Sequence, residues 1–102
     1  MILGRVVGTV VCTQKDPKLE GVTFQLIAPL NIASLASDGK PFVAIDSVGA
    51  GTGEVVLVAQ GSSARQTTQT LNTPCDAVIM GIVDAVDVEG SVVYTKYSGG
   101  DR

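Results

Sequence analysis

The chain has 102 residues, a net charge of −3 and no histidine, and 45% of its residues are hydrophobic although only 4% are aromatic. This length fits one domain with a modest core, and the absence of histidine removes the commonest general base and metal ligand near neutral pH. The negative charge and the shortage of aromatic side chains disfavour nucleic-acid binding, which uses basic grooves and stacking rings.

Valine is the dominant apolar residue and outnumbers leucine and isoleucine together. Because branching at Cβ restricts χ1 and favours the extended backbone, this bias predicts strands. Charged residues make up 17% of the chain, below the typical value of about 25%, which indicates that partners cover part of the surface. No apolar stretch approaches the ~20 residues of a membrane-spanning helix, and the N-terminus does not have the pattern of a signal peptide.

The first strand is predicted over residues 2–13, where the even positions are all apolar or glycine, a half-buried pattern of period two. A polar turn follows over residues 14–21. The second strand runs over residues 22–30. Phe24 lies on its apolar face, which we expect in the core, and Gln25 lies on the opposite face.

The rest of the chain alternates strands with polar or glycine-rich connections, and one short helix is expected after the fourth strand, with Ser62 or Ser63 as its cap. In order, the predicted elements are a loop with one helical turn over residues 31–40, a third strand over 41–47, a glycine-rich turn over 49–53, a fourth strand over 54–60, a fifth over 76–88 and a tail strand over 92–94.

These elements predict an all-β fold, a small five-stranded OB-like β-barrel with one short helix and a C-terminal tail strand. We expect the barrel domain over residues 1–88 and the tail over residues 89–102. Strands four and five are apolar on both faces, and only one face can fill a barrel. Because so short a chain has few other elements, we expect a neighbouring subunit to cover the second face, which predicts an oligomer.

Three groups of residues could suggest chemistry, and each has a simpler structural interpretation. The glycine-rich stretch over residues 49–53 is followed by Glu54 and a strand, whereas a phosphate-binding loop leads into a helix. Strand-end aspartates commonly hydrogen-bond turns; here they are Asp46, Asp76, Asp84 and Asp87. A serine nucleophile at residues 62–63 would have no histidine as its base. The sequence therefore predicts a protein without catalytic residues, a metal site or a cofactor.

Several stretches, taken together and in order, identify a family. They are Met1–Lys15, Gly21–Leu30, Ala44–Val58 with Gly61–Arg65, and Pro74–Ala77 with Ile79–Asp84. In this combination the chain resembles the vertex proteins of bacterial microcompartments, the CcmL/EutN type found in carboxysomes and in catabolic compartments. The resemblance covers nearly the whole chain up to about Asp84, and the tail beyond that residue departs from it.

The resemblance implies a non-enzymatic shell protein, located in the microcompartment shell in the bacterial cytoplasm. It implies a wedge-shaped homopentamer that caps the shell vertices beside hexameric shell proteins. From the residues themselves we expect no nucleic-acid partner, and no membrane partner because the sequence offers no basic amphipathic helix. The alternative is an OB-fold ligand-binding module for single-stranded nucleic acid or a small anion.

Within such a pentamer, two segments are expected at subunit contacts or at the axial pore. Their members are Val48, Gly49, Ala50, Gly51, Gly53, Ser62, Ser63, Ala64 and Arg65. The alternative is that these residues only shape turns inside one subunit. The loops over residues 14–20 and 31–40 are candidates for the edge that meets neighbouring hexamers.

Overall fold

The computed structural model describes residues 1–67 and 75–96 of the chain. Its barrel strands are β1 (Ile2–Val10), β2 (Thr23–Pro29), β3 (Phe42–Asp46), β4 (Val55–Gln60) and β5 (Ala77–Ile82). They close into a barrel in the order β1, β2, β3, β5, β4. β3 and β5 pair in parallel, and the other barrel neighbours pair antiparallel. The predicted all-β, five-stranded barrel is therefore confirmed.

The barrel interior is small and aliphatic. Because successive side chains of a strand point to opposite faces, every second residue contributes to it. The buried members are Val6, Ile27, Ala44, Ala50, Val56, Val58, Ala77 and Ile79. Valine and alanine dominate this set since five strands enclose little space, so the valine-rich composition has its explanation in the barrel's narrow interior.

The residues of β2 that face the barrel interior are not those that the sequence predicts. Gln25 is 6% exposed and lies opposite Ala44 of the core, on the same face as Ile27. Phe24, which we expected in the core, packs on the opposite face against a second apolar cluster. A polar residue thus occupies the barrel interior, and the hydrogen bonds that permit this come from residues distant in sequence.

The second cluster lies on the outer side of the barrel, across β3, β5 and β4. Ile45 pairs with Val78, which in turn pairs with Ala59. Ala64 covers them from a 3₁₀-helix over Gly61–Arg65. The expectation that this short chain has no element to cover the second face of strands four and five was therefore wrong for these residues, because the predicted short helix supplies that cover as a single 3₁₀ turn.

The predicted fifth strand over residues 76–88 is two strands. β5 ends at Ile82, and β6 (Ala85–Val88) pairs with β7 (Ser91–Thr95) in a separate two-stranded hairpin. The break has a physical cause. β4 begins at Val55, so β5 has no ladder partner beyond this point, and the Val83 N–H donates to the Val55 carbonyl as the last contact of the pair.

The β6–β7 hairpin turns at Glu89 and Gly90, whose φ values of 51° and 84° are both positive. Two positive φ angles are the mark of the type I′ turn, which matches the twist of the flanking strands. The predicted tail strand over residues 92–94 is confirmed as β7. The predicted domain boundary after Val88 falls at this turn, between two paired strands, and stays a prediction.

Other connections are short. Asp16 caps a 3₁₀-helix over Pro17–Leu19 by accepting the Lys18 N–H, so the polar turn after β1 contains one helical turn of its own. The loop after β2 contains a turn over residues 32–34. Its hydrogen bonds come from Asn31, whose side-chain oxygen accepts the N–H groups of Ala33 and Ser34.

Gly4 provides the first test of this packing. A methyl group added there would overlap Cγ2 of Ile27 and lie 3.2 Å from the Ala28 carbonyl oxygen. Because Ile27 is fully buried and has nowhere to move, we expect Gly4→Ala to lower the free energy of unfolding by about 1–3 kcal/mol in urea denaturation. Gly8→Ala is the matched control, since its methyl would meet only Leu26 at 3.8 Å; equal stability losses in both variants would contradict the packing.

Candidate functional site

The turn between β3 and β4 is organised by the carboxylate of Asp46. Oδ1 accepts the N–H groups of Val48 at 3.0 Å and Gly49 at 2.9 Å, and Oδ2 accepts that of Ala50 at 2.8 Å. Hydrogen bonds to an ionised acceptor are roughly twice as strong as neutral ones. The hydroxyl of Ser47 donates to the Ile79 carbonyl of β5 at 2.6 Å, so the turn is also fixed to the neighbouring strand.

Gln25 connects the same turn to the barrel interior. Its Nε2 donates to the Ala50 carbonyl at 2.9 Å and to Oδ2 of Asp46 at 3.2 Å. Its Oε1 accepts the hydroxyl of Thr9 at 3.0 Å. No buried side-chain nitrogen or oxygen of the described residues lacks a hydrogen-bond partner. The buried amide is therefore satisfied by three elements that it holds together.

Glu54 fixes the other end of the turn. One carboxylate oxygen accepts the Gly51 N–H at 2.6 Å, and the other forms an ion pair with Lys96 at 2.6 Å. These two contacts, led by the hydrogen bond from Lys96, hold the pKa of Glu54 below its ordinary value. Arg5 Nη1 donates to the Gly53 carbonyl at 2.8 Å, so β1 supports the turn as well.

The segment over residues 62–65 has its own internal contacts. Ala64 is fully buried in the outer cluster. Nη1 of Arg65 donates to the Cys75 carbonyl at 2.8 Å, which joins the 3₁₀-helix to the chain entering β5. Burial raises the pKa of the Cys75 thiol. The 3₁₀-helix begins at Gly61, so Ser62 lies within it rather than capping it, and the side chain of Ser63 lies outside the described part of the structure.

Of the nine residues predicted at subunit contacts or the pore, all but Ser63 have a described environment, and these eight divide into two groups. Ala50 and Ala64 are buried in the subunit's own clusters, and Arg65 is half-buried against Cys75. The exposed members are Val48, Gly49, Gly51, Gly53 and Ser62. The exposed residues and the half-buried Arg65 retain surface for a neighbour, and the position of the whole set at an interface or pore stays a prediction.

Sequence reasoning missed two rows of apolar side chains on the outer surface of the barrel. We define the β4 row as Leu3, Leu57 and Met80, and the β2 row as Val7, Leu26 and Val43. In the β4 row Leu3 pairs with Leu57, and Met80 lies at the bulge beside them, 38% exposed. The two bulges that expose Met80 and Val7 leave no mark in a single sequence.

In the β2 row, Leu26 pairs with Val43, and Val7 lies at the bulge of β1 opposite Leu26. Val7 and Val43 are each 46% exposed. The two rows share β1 but extend from it in opposite directions around the barrel, one over β4 and β5 and the other over β2 and β3. One subunit thus has two different apolar surfaces.

A groove of about 550 Å³ lies between the loop before β2 and the β3–β4 turn. It is lined by Glu20, Gly21, Val22, Thr23 and the residues 46–49. The carboxylates of Glu20 and Asp46 make its charge unfavourable for a small anion. Phe24 is engaged in the outer cluster and does not present a free ring for base stacking. The groove therefore does not favour the alternative of a ligand-binding OB module.

The strand-end aspartates behave as expected where the structure shows their contacts. Asp46 holds the β3–β4 turn, and Asp87 accepts the Gly90 N–H at 2.9 Å in the hairpin. Within residues 1–67 and 75–96, no three cysteine, aspartate or glutamate side chains come together as a metal site would require. Helices in the described chain are all too short to cross a membrane.

Residues 1–84 match the family described as ethanolamine utilisation protein EutN/carboxysome. The bacterial microcompartment shell vertex protein GrpN of Rhodospirillum rubrum is 47% identical over 87 residues, covering 85% of this chain and 97% of its own. The carboxysome shell vertex protein CcmL of Gloeobacter violaceus is 44% identical over 100 residues, covering 94% of this chain and 95% of its own.

Solved structures agree with these relatives. The structure of Gloeobacter violaceus CcmL superposes with a TM-score of 0.89 at 44% identity and covers 94% of this chain and 98% of its own. The Rhodospirillum rubrum GrpN structure, named a pentameric microcompartment shell protein, superposes with a TM-score of 0.78 at 45% identity and covers 86% of this chain and 99% of its own.

Asp46→Asn tests the carboxylate that organises the turn. The amide can keep one oxygen as an acceptor, but its NH₂ group would face N–H donors. We expect the free energy of unfolding to fall by about 1–3 kcal/mol in urea denaturation. Asp16→Asn is the control, because asparagine and aspartate cap equally well and only one N–H is involved. An equal fall in the free energy of unfolding for Asp16→Asn and Asp46→Asn would contradict a particular contribution of the Asp46 carboxylate to stability.

Glu54→Gln tests the ion pair with Lys96. Since the folded protein lowers the pKa of Glu54, the carboxylate adds stability above its ordinary value of 4.5, and this stability is lost as the pH falls through the lowered value. We expect the wild type to exceed Glu54→Gln in thermal stability at about pH 7 and the difference to shrink towards about pH 3. A difference that stays constant across this range would contradict the assignment.

Proposed function

The chain belongs to the EutN/CcmL family, and we propose that it is a structural shell protein of a bacterial microcompartment, which forms a homopentamer that caps the vertices of the polyhedral shell. The supporting observation is the match to shell vertex proteins over nearly the whole chain, one of them named as pentameric. Its place is the shell, within the bacterial cytoplasm.

The outer surface of the barrel has the property that a closed ring needs. A cyclic, head-to-tail assembly joins one surface of each subunit to a different surface of the next. The β4 row and the β2 row are two such surfaces. Each includes one residue of β1, Leu3 or Val7, and from there the rows extend in opposite directions around the barrel. Their apolar side chains would be buried in the ring, and burial of apolar area is the main favourable term in protein association.

The function we propose is geometric. Five-fold units introduce curvature into a layer of hexamers, which cannot close while it stays flat. Hexameric shell proteins are therefore the partners we propose beside the pentamer itself. The exposed loops over residues 14–20 and 31–40 are candidates for the contact with them. Each contains a turn whose backbone N–H groups are accepted by a side chain, Asp16 in the first loop and Asn31 in the second.

We also propose that the protein has no catalytic activity and neither nucleic-acid nor membrane partners. The family is one of shell vertex proteins, which supports a structural role. In the described chain, the carboxylates of Asp46 and Glu54 are engaged in backbone hydrogen bonds and an ion pair that hold the fold. Both acids thus have a structural use.

Native mass spectrometry of the purified protein tests the pentamer. We expect a species of roughly 52 kDa, five times the 10.4 kDa chain. Met80→Asp alters the β4 row and Val43→Asp the β2 row, and each variant alone should lose the pentamer because a charge would be buried at the contact. A mixture of the two variants should form heterodimers only. The unaltered β2 row of Met80→Asp can bind the unaltered β4 row of Val43→Asp, but the remaining row of each partner carries the introduced aspartate and cannot bind a further subunit.

Ile32→Asp is the control for these variants. Ile32 is an exposed apolar residue in the loop over residues 31–40, outside both rows, so this variant should remain pentameric. A monomeric wild type would contradict the vertex function. Pentamers in the mixture of the two variants, or pentamers of either variant alone, would contradict the assignment of the two rows to the ring contact.

A further inference from the structure

We infer that the β6–β7 hairpin is an arm that packs on the adjacent copy of the chain, against that copy's β2 row. This inference rests on the proposed pentamer and adds a contact that the barrel surfaces alone do not supply. It concerns Ala85–Thr95, which lies entirely beyond the residues 1–84 matched by the family.

The hairpin has one apolar and one polar face. Val86 pairs with Tyr94 and shares its face with Val88, whereas Asp87 pairs with Val92 on the other face. Val86, Val88 and Tyr94 are half-buried, and Asp87 and Val92 are exposed, with Val92 at 62%. This alternation is typical of a sheet that packs one face on a core and leaves the other in water.

The barrel strands of the described residues, 1–67 and 75–96, do not cover the apolar face extensively. No residue of Ala85–Thr95 is buried, and among the described elements the two hairpin strands make no extensive contact with the barrel strands. An isolated two-stranded hairpin is at best marginally stable in water and needs a third strand or a packing surface. The half-buried face of Val86, Val88 and Tyr94 therefore leaves apolar surface that a neighbouring subunit could cover.

The base of the hairpin is held firmly to the barrel. The Val83 N–H donates to the Val55 carbonyl at 2.8 Å, and the Lys96 N–H donates to the Asp84 carbonyl at 2.8 Å. The ion pair between Lys96 and Glu54 closes the same corner. An arm with a fixed base loses less conformational freedom when it docks than a loose segment would.

The position of the hairpin base indicates that the adjacent copy is the partner of the apolar face. The hairpin leaves the barrel beside Val55, the residue of β4 that pairs with Arg5. It therefore starts on the side of the β4 row. In a head-to-tail ring that side meets the β2 row of the next subunit, so Val7, Leu26 and Val43 of the next copy are the nearest apolar surface for the arm.

Two valines in the hairpin give a matched pair for the test. Val88→Lys changes the apolar face, and Val92→Lys makes the same substitution on the polar face, opposite Asp87. We expect Val88→Lys to raise the concentration at which half of the pentamer dissociates by about tenfold or more, as measured by sedimentation or native mass spectrometry on dilution. We expect Val92→Lys to stay within about twofold of the wild type.

A second measurement locates the contact directly. A photo-crosslinking amino acid at position 88 of the full chain should form covalent dimers on irradiation, and peptide mapping should place the link in β2 or β3. The same group at position 92 should give few dimers. A link within one chain, or to a surface other than the β2 row, would overturn the inference.

The outcomes separate this inference from the proposed function. If the wild type is monomeric, the pentamer fails and the arm with it. If the wild type is pentameric but Val88→Lys and Val92→Lys dissociate alike and position 88 gives no inter-chain link, the arm is wrong while the vertex function stands. Links to hexameric shell proteins in assembled shells, without links inside the isolated pentamer, would likewise overturn the arm.

Discussion

Closure of the barrel between β3 and β5 is the constraint on which the rest of the structure depends. This seam is the parallel one, and its register joins Ile45 to Val78 and Asp46 to Ile79. So short a ladder contributes few hydrogen bonds, and two nearby elements reinforce it. Ser47 donates to the Ile79 carbonyl from the turn after β3, and the 3₁₀-helix after β4 covers the outer side of the same pairs. Without them the sheet would be left with two open edges.

This seam involves two of the segments that carry the family resemblance, those over residues 44–58 and 61–65. The first contains β3, the turn held by Asp46 and the start of β4, and the second places Ala64 on the outer cluster. These contacts give both segments a structural role within one subunit. Gly49 and Gly51 of the first segment stay exposed although their N–H groups bond to Asp46 and Glu54, so a role within the subunit and a role between subunits are compatible.

Much of the fold could be predicted from the sequence because period-two alternation and turn residues are local properties. The five barrel strands and the tail strand follow from them. The division between β5 and β6 does not, since the apolar pattern runs on through Val83 whereas the ladder partner ends at Val55. The burial of Gln25 depends on Thr9 and Ala50, which are distant in sequence. The two apolar rows depend on bulges, which shift a strand's faces without changing its composition.

A vertex protein must hold neighbouring subunits at a constant angle. In this chain, two parts contribute to that angle: the rigid barrel and the β6–β7 hairpin, whose direction is fixed at its base. The barrel is stiff because its weakest seam is reinforced on both sides and its buried amide is fully hydrogen-bonded. The arm is directed because Glu54 belongs to the β3–β4 turn and to the base of the hairpin at once. The turn that closes the barrel therefore also sets the direction of the hairpin, so the shape of one subunit would fix the angle to the next.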